Sequence, residues 1–296
     1  MKKTFTGKIK EEISKHNNAA RHCQLAEMAV FLSCCGRYDN GLLCIRGENP
    51  QVMEKISQLM ERLYRYEIDA SEKEVMLEGK DADGVLESLK VRKENITGCA
   101  ISEILLNNHC CKQAALTAFF LCTGSVNDPS RNYHCEYVCV SGEQAAQIVS
   151  LLGEFGIVSH RTRRKGREVV YIKESESISE LLGVIGAHKE MMELENLRIE
   201  KELRSSVNRA VNCDTANAKK LADASTRQIE DIKFLRDSGG LANLPDQLKE
   251  MAKVRLENPE LPLKDLGALL DPPIGKSGVN HRLRKLSELA DKKRTP

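Results

Sequence analysis

Cys110-Cys111-Lys112-Gln113-Ala114-Ala115-Leu116-Thr117-Ala118-Phe119-Phe120-Leu121-Cys122-Thr123-Gly124-Ser125 is an apolar run of helical length that ends in a glycine. It passes straight into a turn, Val126-Asn127-Asp128-Pro129. The same design occurs earlier, in Cys23-Gln24-Leu25-Ala26-Glu27-Met28-Ala29-Val30-Phe31-Leu32-Ser33-Cys34-Cys35-Gly36. An offset of 88 residues pairs Cys23 with Cys111, Ala26 with Ala114, Phe31 with Phe119, Cys34 with Cys122 and Gly36 with Gly124. That is an internal repeat. Ala114, Ala118 and Cys122 fall at i, i+4 and i+8, as do Ala26, Val30 and Cys34, so each helix carries a smooth stripe along which another backbone can approach.

The repeat extends outward from these helices. After Gly36 the pattern predicts a strand pair over Tyr38 to Glu48, a helix over Asn49 to Leu63, a hairpin over Tyr66 to Leu77 and a helix over Ala82 to Leu89. After Gly124 it predicts an extended segment His134 to Val140, a helix Gly142 to Phe155, a hairpin Val158 to Ile172 and a helix Ser177 to Ile185. Residues 8–16 form a short opening helix, and helical character is expected at 100–106 in the segment joining the halves.

A helix ending in a small residue and glycine, set before a strand pair and duplicated, resembles the LAGLIDADG homing-endonuclease fold. The stretch 118–129, followed by Tyr133-His134-Cys135-Glu136, is closer still to the WhiA family of bacterial DNA-binding regulators. The expected class is α+β: a duplicated LAGLIDADG-like αββαββα domain followed by an all-α helix-turn-helix domain. The first domain is expected over 1–212, with halves at about 19–89 and 110–186 and a long helix at 188–212. The all-helical domain is expected over 218–296, its helix-turn-helix at 262–290. Asn212-Cys213-Asp214-Thr215-Ala216-Asn217 is the expected linker, followed by separate helices at 218–224 and 226–235.

Composition narrows the function classes. The 296 residues suffice for two cores, and 30% charged residues give a well-solvated surface at a net charge of only +2. No apolar run is long enough to span a membrane, and the basic N-terminus leads into Lys8-Ile9-Lys10-Glu11-Glu12 rather than a signal-peptide core. The 11 cysteines are odd in number and show no Cys-x-x-Cys spacing, which predicts free thiols in a reducing cytoplasm; a place on the nucleoid is expected only from the resemblance to DNA-binding regulators. His22-Cys23, Cys110-Cys111 and His134-Cys135 are the pairs able to ligate a metal; no metal or cofactor is expected from them.

In the last third, Asp271-Pro272-Pro273-Ile274-Gly275-Lys276-Ser277-Gly278-Val279-Asn280-His281-Arg282-Leu283-Arg284-Lys285-Leu286 follows a short helix at 263–270. Two short helices with a tight turn between them, the second one basic, form a helix-turn-helix pattern. At about 100° per residue, Val279, Leu283 and Leu286 share one face. Ser277, Asn280, His281 and Arg284 share the opposite one, with Lys276 and Lys285 near its edges. Arg can pair with guanine and Asn with adenine, while Lys and Ser can hold phosphate. From Lys276 to Arg294 the basic residues Lys276, Arg282, Arg284, Lys285, Lys292, Lys293 and Arg294 face only Glu288 and Asp291. This stretch matches the WhiA helix-turn-helix signature, with Gly275 where the family usually carries serine. A second basic cluster, Arg161, Arg163, Arg164, Lys165 and Arg167, lies on the second-half hairpin, opposite an acidic counterpart in the first half.

The resemblance implies a sequence-specific, DNA-binding transcription regulator linked to cell division, chromosome segregation or sporulation. Double-stranded DNA is the expected partner; another transcription regulator or RNA polymerase is the protein partner considered. No membrane and no small-molecule substrate are expected. The alternative is a protein-interaction scaffold on the nucleoid with weak non-specific DNA binding, and a residual metal-dependent nuclease is the third reading. Active LAGLIDADG enzymes place an acid just before each terminal glycine, where the two together hold a divalent metal. The matching positions here are Cys35 and Thr123, so no catalytic residue and no enzyme activity are expected. Gly275-Lys276-Ser277 imitates the end of a P-loop, but Leu270 stands where its first glycine belongs.

Overall fold

A computed structural model describes residues 3–69 and 73–294. The chain divides into two compact units, Met1–Lys201 and Glu202–Pro296.

In the first unit, helix α1 (Phe5–Ser14) precedes α2 (Arg21–Cys35), strands β1 (Gly36–Asp39) and β2 (Leu42–Arg46), helix α3 (Pro50–Tyr64), strand β3 (Glu74–Glu78) and helix α4 (Gly79–Ser88). A short 3-10 turn, Glu103–Leu106, leads into the second half. That half comprises α5 (His109–Thr123), β4 (Gly124–Val126), β5 (Cys135–Cys139), α6 (Gly142–Glu154), β6 (His160–Arg164), β7 (Arg167–Ile172) and α7 (Ser175–Val184). Two antiparallel sheets result, ordered β1-β2-β3 and β4-β5-β7-β6. The duplicated LAGLIDADG-like architecture expected from the repeat is therefore present.

Helices α2 and α5 form the most extensively packed pair of elements. Ala26, Ala29, Val30 and Phe31 are fully buried on α2, as are Ala115, Ala118, Phe119 and Phe120 on α5. Both helices pass into a strand with no intervening loop, at Gly36 and Gly124. The reason for glycine there is space, since both backbones have ordinary negative φ. A Cβ on Gly124 would lie 2.5 Å from Cδ2 of Phe120, and one on Gly36 would lie 2.4 Å from the Leu32 carbonyl oxygen. Ordinary capping sets the other helices: Asn49 Oδ1 accepts from Gln51 N at 3.0 Å, and Ser141 Oγ accepts from Gln144 N at 3.1 Å.

The halves are not identical. The expected first-half hairpin over 66–77 supplies one strand, β3; residues 65–69 form none, and the expected turn lies partly outside the described residues. The chain leaves α3 through Arg65 in the left-handed conformation (φ 64°), and the Ile68 carbonyl is taken by Ser57 Oγ at 2.6 Å. That backbone is tied to α3 instead of to a sheet edge.

The second correction concerns the linker. Helix α8 (His188–Asp237) runs without a break through 212–217 and through both expected helices beyond it. No glycine or proline occurs between His188 and Asp237, while Gly186 precedes the helix and Ser238-Gly239-Gly240 follows it. Residues 202–224 are exposed at every position, including Leu203, Val207 and Val211. Leu194 belongs to the first core, and Ile232 and Leu235 to the second.

That second core is completed by α9 (Asp246–Glu257), α10 (Leu263–Ala268) and α11 (Lys276–Arg294), through Met251, Leu266, Leu270, Val279, Leu283 and Leu286. No helix among the described residues is long and apolar enough to cross a membrane.

The glycine junction gives the first prediction. Gly124→Ala should lower stability by about 1–3 kcal/mol through overpacking against Phe120, read as a reduced denaturation midpoint with an unchanged slope.

Candidate nucleic-acid interface

The second unit sets α11 against its core through Val279, Leu283, Leu286 and Ala290, all at most 1% exposed. Helix α10 meets it across a turn that only a glycine allows. Ile274 N donates to the Gly267 carbonyl at 3.0 Å, and a Cβ on Gly267 would lie 2.1 Å from the Ile274 oxygen. The turn therefore lies directly on α10 and fixes where α11 begins.

On α11, Lys276, Ser277, Asn280, His281, Arg284 and Lys285 are exposed, whereas Arg282 is only half-exposed. Their immediate surroundings differ. Arg284 Nε lies 3.1 Å from Glu288 Oε1, an exposed ion pair one turn along the helix, of a kind worth little in water and readily exchanged for another anion. Asn280 lines a cleft of 620 Å³ with Leu221, Ser225 and Pro259. Arg282 turns towards the start of α9, beside Pro245 and Leu248. His281, Arg284 and Lys285 remain together at the outer face.

The basic tail of α11 is partly committed to structure. Lys293 Nζ donates to the Ser238 carbonyl at 2.6 Å. Arg294 Nη1 lies 2.6 Å from Asp231 Oδ1, a carboxylate with 1% of its side chain exposed, and its guanidinium sits 4.8 Å from the Phe234 ring. The Asp231 carboxylate holds Arg294 above the usual guanidinium range. Both side chains fasten the end of α11 to the end of α8, so the local charge excess available to a ligand is smaller than the sequence count.

In the first unit the basic hairpin forms as β6 and β7, turning at Lys165 (φ 50°) and Gly166 (φ 80°). Strand pleating divides its charges. Arg161 pairs with Val170 and Arg163 with Glu168, on the face whose inner part is Cys135, Tyr137, Val170 and Ile172. Arg161 Nε donates to Glu168 Oε2 at 2.9 Å, and its guanidinium lies against Gly142 at the start of α6. Arg164 pairs with Arg167 on the opposite, open face, with His160, Thr162 and Tyr171. Arg164 Nη1 is 3.6 Å from Glu136 Oε2, and Lys173 Nζ lies 5.1 Å from the Tyr171 ring centre. The expected five-residue cluster is thus two groups back to back. The open face of the first sheet mixes Arg37 and Arg46 with Asp39, Glu74 and Glu78, which preserves the asymmetry between the halves.

At the ends of α2 and α5, where an endonuclease would hold its metal, thiols meet. Hydrogen bonding to Cys122, then burial, pushes the Cys35 thiol far up, and contact with Cys34 raises Cys122 likewise. Thr123 Oγ1 donates to the Phe119 carbonyl at 2.9 Å. Lys10 approaches Cys122, its own pKa lowered by burial. Asp128 is a turn former, Oδ1 accepting from Ser130 N at 2.9 Å, and hydrogen bonds from Ser130 hold it below the usual carboxylate range.

Two of the three candidate ligand pairs do come together: His22-Cys23 and Cys110-Cys111 form one cluster at the starts of α2 and α5. The repeat offset of 88, which aligns Cys23 with Cys111, is the signal for it; no local spacing contains it. His134 and Cys135 stay apart, because adjacent strand residues point to opposite faces: His134 approaches Glu136 at 3.3 Å, while Cys135 is in the core.

Comparison with known proteins agrees with this architecture. Residues 207–290 match the model of the WhiA C-terminal HTH domain, and residues 112–204 that of the WhiA LAGLIDADG-like domain. The probable cell division protein WhiA of Alkaliphilus oremlandii (strain OhILAs) is 39% identical, covering 98% of this chain and 97% of that protein. Its counterpart in Lachnospira eligens is 40% identical, covering 98% of each. The crystal structure of full-length WhiA from Thermatoga maritima superposes with a TM-score of 0.57 at 24% identity, over 98% of this chain and 99% of that one, a likeness of fold.

The Arg294–Asp231 pair yields a stability test. Arg294→Ala should lower the unfolding midpoint of the helical unit, because it leaves a buried carboxylate oxygen without its donor. Thermal unfolding of Arg294→Ala beside Lys292→Ala, an exposed control, measures it.

Proposed function

The chain belongs to the WhiA family, and we propose that it is a sequence-specific, DNA-binding transcription regulator without endonuclease activity. It works in the cytoplasm, on the nucleoid, in cell division or in the related processes of chromosome segregation and sporulation. The observation that carries the DNA reading is the outer face of α11. Ser277, His281, Arg284 and Lys285 are open to solvent, while Val279, Leu283 and Leu286 hold the helix to its core and Gly267 seats the turn before it. A helix presented this way enters the major groove with its polar side chains against base edges. The relatives' description as probable cell division proteins supports the process.

Arg284 has the better claim to a base contact, and the hairpin residues have a claim to phosphate only. Within the hairpin, Arg164 and Arg167 are the pair on the open sheet face, so they belong to a DNA-facing surface in a way that Arg161 and Arg163 do not. On a selected site Arg284→Ala should cost about 1–3 kcal/mol and relax sequence preference. A combined Arg164→Ala/Arg167→Ala variant should weaken binding to every duplex and flatten the salt slope by about one unit for each phosphate no longer neutralised. The measurement is a titration of full-length protein against selected and random duplexes at several salt concentrations. If the hairpin variant matches the parent on both, the sheet face is not a DNA surface.

The lack of nuclease activity is supported by the group that replaces the paired acids. Mg²⁺ takes hard oxygen ligands, whereas Cys35 and Cys122 are thiols held protonated and the ionisable side chain beside them is the amine of Lys10, not a carboxylate. Supercoiled plasmid incubated with the protein and Mg²⁺ or Mn²⁺ should remain intact. Nicking that co-purifies with the protein and survives Asp39→Asn and Asp128→Asn would point to residues outside the expected site.

A further inference from the structure

We propose that His22, Cys23, Cys110 and Cys111 form a structural zinc site that fastens the starts of α2 and α5 together. His22 and Cys23 lie in the first turn of α2, and Cys110 and Cys111 in the first turn of α5. Nδ1 of His22 is 3.1 Å from Cys111 Sγ, 3.3 Å from Cys23 Sγ and 3.9 Å from Cys110 Sγ. All four donor atoms lie within 4.8 Å of one another. A tetrahedral zinc with bonds of about 2.3 Å to sulfur and about 2.0 Å to nitrogen separates its ligand atoms by about 3.5–3.8 Å. The cluster is already close to that spacing, and small side-chain rotations would complete it.

The ligand set selects the metal. Three thiols and an imidazole suit zinc and discriminate against magnesium or calcium, which take oxygen. Four protein ligands close a tetrahedral shell, the arrangement of structural rather than catalytic zinc. Binding displaces the three thiol protons, so affinity rises with pH. The three thiolates with Zn²⁺ and neutral imidazole carry a net charge of −1. That charge falls where two helix N-termini meet, each favouring negative charge.

The internal repeat supplies an independent argument. The offset that aligns Cys23 with Cys111 also aligns His22 with Cys110, so each half contributes two neighbouring donors from equivalent positions. Cys23 and Cys111 are buried and anchor the cluster, whereas His22 and Cys110 are exposed and give the ion a path in. The sites so joined are 88 residues apart, from His22 to Cys110.

Full-length protein expressed in zinc-supplemented medium and purified without chelator should contain one zinc per chain by plasma mass spectrometry. After metal removal, anaerobic titration with Co²⁺ should give thiolate charge-transfer and tetrahedral ligand-field absorption that saturates at one equivalent. Cys110→Ser, at an exposed position, should fold by circular dichroism yet lose the bound zinc. Cys213→Ser, at an exposed thiol on α8, should keep it. A folded parent without zinc and without a tetrahedral cobalt–thiolate spectrum overturns the proposal. So does a Cys110→Ser variant that retains one zinc and the parent's cobalt spectrum.

Discussion

The close approach of α2 and α5 is the contact on which the first unit depends. The two helices run parallel: His22 meets Cys110 and Cys111 at one end, and Cys35 meets Cys122 at the other. Small side chains permit this: Ala26, Ala29, Ala115 and Ala118 are fully buried, as are the larger Phe31, Phe119 and Phe120. Parallel helices also align their dipoles, which is electrostatically unfavourable unless each end is compensated. At the C-terminal ends, where an active endonuclease would place metal against two acids, the Lys10 amine approaches a nest of neutral thiols. At the N-terminal ends the candidate counter-charge is the cysteine–histidine cluster. One helix pair thus sets the electrostatic problem at both ends, and the side chains differ accordingly.

Much of this is legible in the amino-acid sequence because it is local and periodic. The two helix-to-glycine runs, their offset and the strand patterns after them each depend on residues a few positions apart, and the glycines are where backbone crowding demands them. The buried face of α11 follows from helical spacing alone. The end of the first domain is misread because Asn212-Cys213-Asp214-Thr215-Ala216-Asn217 is rich in turn-forming residues. Each of these costs a helix only about 0.5 kcal/mol relative to alanine, and α8 passes through them. The absence of glycine and proline over the whole helix is the better indicator.

The rest requires the third dimension. Which of Arg161, Arg163, Arg164 and Arg167 share a face is set by the register of β6 and β7 against β5, and a shift of one residue would exchange the two groups. The basic tail looks uniformly available in the sequence, yet Arg294 finds its partner in Asp231, 63 residues away. Among the described residues the first half lacks the expected strand before β3, and there the Ile68 carbonyl accepts from Ser57 Oγ of α3, a contact that no local pattern indicates.

The unequal sheets bear on how the molecule avoids templating its own aggregation. Among the described residues, strands β3 and β6 are each outermost in their sheet, the position from which a sheet can pair with another chain. β3 ends in Glu74 and Glu78, and β6 carries Arg161, Arg163 and Arg164 with no buried residue at all. Two copies meeting through the same edge would bring carboxylates against carboxylates or guanidinium groups against guanidinium groups. The charges that distinguish the two halves therefore also oppose pairing between like edges.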